Sequence, residues 1–259
     1  MEKLRPESQN LAEKIVQELI PIKEVSIRTR ALAEKLNQLD AETIAEVLYH
    51  ICQRSSRGKT RFKELLLSCS DTVALAKVMG EIKLTAVNLI ADERGFHPVV
   101  RLLSKPSSLQ GLQAPSPGRD GYWMADYFTA GERVSLAKGQ DRHGLERLMR
   151  DPHPLVIRQL LNNPRLTEHE VVRIAACRPA NPKVLEEIYK SSRWIGRYEV
   201  KVALARNPYT PPRIGIALVN FLLRSDLLEV KNDPQLHPAL REAANELWET
   251  KRGKTVEET

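Results

Sequence analysis

Two copies of one phrase constrain this chain more than any other feature of it. Val156-Ile-Arg-Gln-Leu-Leu-Asn-Asn-Pro-Arg-Leu-Thr167 can be laid over Val200-Lys-Val-Ala-Leu-Ala-Arg-Asn-Pro-Tyr-Thr210, with the two threonines one residue out of step. Each is followed by apolar residues at helical spacing, Val171, Val172 and Ala175 in the first copy, Ile214 and Ala217 in the second. Proline keeps the residue before it out of the helical region, and asparagine accepts turn geometry, so a helix must stop at Asn163 and again at Asn207. A helix, a stop and a second helix make a hairpin with an apolar face it cannot bury alone. Successive hairpins therefore have to stack and share a core. Weaker echoes stand at Asp151-Pro152, Asn181-Pro182 and Asp233-Pro234.

Helix starts are as legible as the stops. Thr129-x-x-Glu132 and Thr167-x-x-Glu170 match the capping box, and Thr210-Pro211 reads as an N-cap followed by proline at the first helical position. Upstream, apolar residues recur at helical spacing from Leu11 to Leu103, broken at Pro21, at Asp40 as a cap, at Ser55–Gly58 and at Gly95 with Pro98. This predicts a bundle of about five helices. An aromatic content of 5% beside abundant Leu, Ala, Glu, Lys and Arg also favours helix over sheet. Between 104 and 121 the pattern lapses into Pro, Gly and Ser, a linker or long surface loop. The Tyr122-Trp-Met-Ala-Asp-Tyr-Phe128 cluster after it is read as a plug between the two halves, with a ligand-binding surface as the alternative. The expected organisation is an all-α chain with a helical region at 1–103, the linker at 104–121, a repeat region at 122–250 and a polar tail at 251–259.

In the second half, from about Asp141 to Trp248, the chain resembles HEAT-like and leucine-rich-variant helical repeats. There a Val-Arg-x-x-Leu-Ala-x-Asn-Pro phrase closes one helix and a Thr-Pro phrase opens the next. The resemblance implies an α-solenoid, here irregular because Lys190–Arg197 inserts between units. It implies an architecture and no chemistry.

Motifs of catalysis are not found by spacing. Arg57-Gly-Lys-Thr60 matches the end of a phosphate-binding loop, but the first glycine of that motif falls on Gln53, so the segment reads as an ordinary loop. His50, His97, His143, His153, His169 and His237 form no metal-ligand spacing. Cys52, Cys69 and Cys177 are too scattered for a disulfide framework or a zinc site. No catalytic residue, metal or cofactor is assigned, and the chain is expected not to be an enzyme. It is also expected to be cytoplasmic, since no signal-like or membrane-spanning apolar run is present.

A formal net charge of +7 suits nucleic acid, an anionic membrane or an acidic protein, with a solubilising surface as the alternative, and charge alone does not choose between them. The basic residues gather in the repeat region, and Arg158, Arg165, Arg173, Arg178, Arg193, Arg197, Lys201 and Arg206 are the candidate binding residues, lining one groove. Trp194 joins them as a stacking face, against the alternative that it fills a gap between repeats. Two functions follow: a protein-interaction scaffold or adaptor with another, acidic protein as partner, or a nucleic-acid-binding solenoid of HEAT-like form.

Overall fold

The structure is a computed structural model, and it describes residues 4–103 and 127–257, with side chains up to 251. The expected linker, the Tyr122–Asp126 part of the aromatic cluster and most of the polar tail lie outside the described residues. The fold is all-α, with no strand among the described residues. It divides into two units, Met1–Pro106 with Pro212–Thr259, and Ser107–Pro211. In chain order the second is nested within the first, and in that sense they are the inner and the outer unit.

In the outer unit, α1 (Pro6–Leu19), α2 (Val25–Asn37), α3 (Ala41–Ser56), α4 (Thr60–Cys69), α5 (Thr72–Met79), α6 (Glu81–Glu93) and α7 (His97–Leu103) replace the five helices predicted. The extra boundaries come from short caps. Asp71 accepts the N–H of Ala74 and starts α5, and Gly80, with φ +84°, separates α5 from α6 at a conformation costly for any other residue. Asp40 caps α3 as expected, accepting the N–H of Thr43 at 2.9 Å. Helix α3 packs against α1, α4, α6 and α7, and its Ile44, Ala45, Val47, Leu48 and Ile51 are almost wholly buried. The supposed phosphate loop is the end of α3: Gly58, at φ +91°, donates to Ser55 O, and α4 begins two residues later.

Buried with α3 is a full carboxylate, Glu46, whose side chain is 0% exposed. It accepts from Arg5 Nε at 2.9 Å, from Arg94 Nη1 at 2.7 Å and from the hydroxyl of Ser8. Burial pushes its pKa up, but the bonds from Ser8, Arg5 and Arg94 outweigh that and hold it below the usual carboxylate value.

The outer unit is completed by α15 (Pro212–Leu218), a single 3₁₀ turn at Val219–Phe221, α16 (Arg224–Asn232) and α17 (Pro238–Glu257). These helices were expected to continue the repeat region. Instead α15 packs on α4, α7 and α17, and α16 packs on α17. The expected cap at Thr210 is also displaced: α15 starts at Pro212, and the Thr210 hydroxyl is buried without a hydrogen-bond partner.

The inner unit holds α8 (Ala130–Leu136), α9 (Arg142–Leu148), α10 (Pro154–Leu161), α11 (Glu168–Ala176), α12 (Pro182–Lys190), the one-turn α13 (Ser192–Ile195) and α14 (Tyr198–Ala205). The two capping boxes form where expected. Glu132 accepts the N–H of Thr129 at 2.7 Å and Glu170 that of Thr167 at 2.8 Å. Side chain to chain bonds then sort the helices into two rows. Helix α10 packs on α8 and on α12, whereas α14 packs on α11, with α9 joined to α11 by the Arg142–Glu170 ion pair.

Both Asn-Pro stops work by the same device. The amide of Asn163 donates to Ala137 O at 2.8 Å and Gly139 O at 2.9 Å, closing the end of α8, while its Oδ1 accepts the N–H of Arg165. The amide of Asn207 donates to Ala175 O at 2.7 Å and Cys177 O at 3.0 Å, closing α11, and its Oδ1 accepts the N–H of Tyr209. These carbonyls are helix-end acceptors with no partner inside their own helix. The sequence copies fall on different rows, however: Asn163 ends α10 and reaches α8, whereas Asn207 ends α14 and reaches α11. The bonds between neighbouring helices of a row accordingly span less than the 44-residue offset of the phrases. Bonds between successive helices of a row span 28 residues for Arg142 to Glu170, and Asn181 reaches 29 residues back to Pro152.

Candidate functional site

The helices of each row run parallel, so the inner unit has two edges made of turns. On the first edge lie the turns at 137–141, 162–167 and 191–197. Here Trp194 is 4% exposed and donates from Nε1 to Leu161 O at 2.8 Å. It fills the space over the end of α10, and the guanidinium of Arg193 covers its ring at 4.4 Å. A stacking role toward a nucleic-acid base is thereby corrected: no face of the indole is open. Arg193 itself donates to Asn163 O and Leu166 O, and Arg165 to Gln140 O at 2.9 Å. Arg197 stands 3.7 Å from Glu168. The irregular insertion at Lys190–Arg197 is thus a plug over the end of α10, built around α13.

Lys201 is corrected as well. It is 9% exposed, with its ammonium on Gly196 O at 2.9 Å, so it offers no surface charge. Arg158 lies on α10 and is paired through two 2.7 Å bonds to Glu187 of α12. That bond to Glu187 raises the guanidinium's pKa and commits the side chain to holding the row together. Arg173 is exposed on α11. The nine candidate residues therefore do not line one groove. The fold separates them onto two edges and two helix faces.

The second edge carries the remaining pair and adds a residue that sequence reading missed. It is made of the turns at 149–153, 177–181 and 206–210, which are tied in series. The amide of Asn181 donates to Pro152 O at 2.9 Å, that of Asn207 to Cys177 O at 3.0 Å, and Arg178 Nη2 to Arg206 O. Arg150, Arg178 and Arg206 occupy matching places, each just beyond the end of α9, α11 and α14, and all three are exposed. A cation is favoured there by the helix dipole. The one acidic residue on these turns, Asp151, is buried and spent on Arg133, with Nε to Oδ2 at 2.7 Å. These turns consequently show arginine and no acidic residue of their own to solvent, with Arg178 already donating to Arg206 O. Arg147 and Arg173, exposed on α9 and α11, extend this edge inward. The signal that could have found Arg150 is the spacing: Arg150, Arg178 and Arg206 are 28 residues apart, each within two residues of a proline.

The outer unit offers a cavity of about 160 Å³ between α3, α4, α7, α15 and α17, with Tyr49, Cys52, Gln53, Arg101, Asn220 and Glu246 among its walls. Its charges are matched internally, Arg101 Nη2 lying 2.7 Å from both oxygens of Glu246. Burial pushes the Cys52 thiol up to about 12, so it stays protonated at neutral pH and is no nucleophile. His153 and His237 serve as helix starts, each accepting through Nδ1 the N–H two residues on, from Leu155 and Ala239. Tyr127 is 76% exposed and Phe128 37%, so these two members of the aromatic cluster are not buried as a plug.

Among the described residues no helix is long and apolar enough to cross a membrane, and no group of three His, Cys, Asp or Glu is placed to hold a metal ion. Set against protein-family models, curated proteins and solved structures, the chain matches none.

Proposed function

We propose that this is a non-enzymatic, cytoplasmic helical-repeat protein of HEAT-like form that acts as an interaction scaffold or adaptor, holding an acidic protein partner on the inner unit. The observation that carries this reading is the second edge: three exposed arginines on three turns that hydrogen bonds tie together, with the nearby carboxylate buried. A charged surface fixed on a rigid backbone recognises opposite charge without an ordering cost.

The test is fluorescence anisotropy of the full chain with labelled polyglutamate and with a single-stranded oligonucleotide of equal charge, each at two salt concentrations. Polyglutamate is expected to bind the more tightly, and the double charge reversal Arg150→Glu with Arg206→Glu to abolish that binding. Preferential binding of the oligonucleotide, with a steep loss in salt, would replace the scaffold by the nucleic-acid-binding solenoid.

A further inference from the structure

The cavity of the outer unit has the size and the chemistry of a small-molecule site. An apolar cavity of about 150 Å³ takes up a benzene ring, and this one holds about 160 Å³ between apolar walls that include Leu66, Leu102, Ile216, Ala243 and Leu247. Its short polar side chains are already committed. The hydroxyls of Ser56 and Thr250 donate to Gln53 O at 2.9 Å and Glu246 O at 2.8 Å, and the amide of Asn220 donates to Ile216 O at 3.1 Å. Among the described residues that line the cavity, only Arg101 and Glu246 carry charge.

That ion pair is uneven in two ways. The side chain of Arg101 is 11% exposed and that of Glu246 59%, so the arginine is fixed in the wall while the glutamate stands at the mouth. Both oxygens of Glu246 also sit on one nitrogen, Nη2, at 2.7 Å each. Nε reaches His97 O at 3.4 Å, and Nη1 is buried without a hydrogen-bond partner. A guanidinium holds a carboxylate best as a fork, one oxygen on each of two nitrogens. The end-on pairing leaves a buried donor unmade, which is costly. Glu246 is therefore a replaceable counter-ion. It can turn into water, whereas the buried arginine it leaves is strongly disfavoured without a new anion.

Independently of the scaffold reading, which concerns the inner unit, we infer that this cavity binds a small monocarboxylate with an apolar body about the size of a benzene ring. The body fills the apolar space. The carboxylate takes the place of Glu246 on Nη2 of Arg101 and adds the bond to Nη1 that Glu246 does not make.

The experiment titrates benzoate, benzamide and acetate into the full chain, followed by ligand-observed NMR. Benzoate is expected to bind about tenfold more tightly than benzamide, which keeps the ring and loses the charge, and than acetate, which keeps the charge and loses the ring. Glu246→Gln removes the internal competitor and is expected to tighten benzoate about tenfold while leaving benzamide unchanged. Arg101→Met should abolish the preference for benzoate over benzamide, and Ala243→Leu, which narrows the cavity, should weaken benzoate while circular dichroism matches the parent. Glu246→Gln alters an exposed side chain, so it decides the question alone if either other variant unfolds. Benzamide or acetate binding as tightly as benzoate overturns the inference. So does a Glu246→Gln protein that binds benzoate no more tightly than the parent, or the absence of saturable benzoate binding in both.

Discussion

Glu46 shows how a single residue sets the acid tolerance of the outer unit. Its pKa is lowered in the fold by Ser8, Arg5 and Arg94 against the opposing effect of burial. A carboxylate with a depressed folded pKa stabilises above its ordinary value of 4.5, and that contribution is lost as pH falls through the lower folded value. Urea midpoints measured from pH 7 to pH 3 should therefore fall in acid. In Glu46→Gln the stability at pH 7 should drop by about 1–3 kcal/mol, because Arg5 and Arg94 lose a charge-assisted acceptor while keeping Glu42, and the acid slope should flatten. A second residue-level expectation concerns thiols. Cys52 and Cys69 are buried and their pKa values are pushed up by that burial, whereas Cys177 is half-exposed. A thiol reagent at pH 8 should label Cys177 alone in the native protein, and all three after unfolding; rapid native labelling of Cys52 would mean its cavity opens.

At the scale of elements, the starts and stops of helices were legible because they are local. Asp40, Thr129 and Thr167 act within three residues of themselves, and Asn163 and Asn207 stop their helices through the proline that follows. Which helix neighbours which was not legible, for a physical reason. The Asn-Pro stop is the same whichever row it closes, and only the distant carbonyls it reaches, Ala137 and Gly139 or Ala175 and Cys177, decide the row. Hence the 44-residue phrase offset did not reveal that the two stops close different rows. The same blindness governed the candidate site. Charge was visible at Arg193 and Lys201, but the carbonyls that occupy them were not. Trp194 was likewise ambiguous until Leu161 O supplied its partner. Replacing Asn207 by Ala should cost about 1–3 kcal/mol, since it strands two helix-end carbonyls. Hydrogen exchange should then quicken around the end of α11 and leave the end of α8 unchanged; Asn163→Ala should do the reverse.

On the whole molecule, both units bury an apolar core, and they differ in how they hold their charges. The outer unit buries its ions at Glu46 and pairs Arg101 with Glu246, while the inner unit keeps Arg150, Arg178 and Arg206 outside. The direction of the asparagine and tryptophan bonds has a further consequence. Each of Asn163, Asn181, Trp194 and Asn207 donates to a carbonyl 24 to 33 residues earlier, and none of them to a later one. During synthesis the helix ends at Ala137, Leu161 and Ala175 therefore lack these donors until the later residue has left the ribosome. Nascent chains stalled with Arg206 as the last emerged residue should leave α11 open to protease, and release of one more residue, Asn207, should close it.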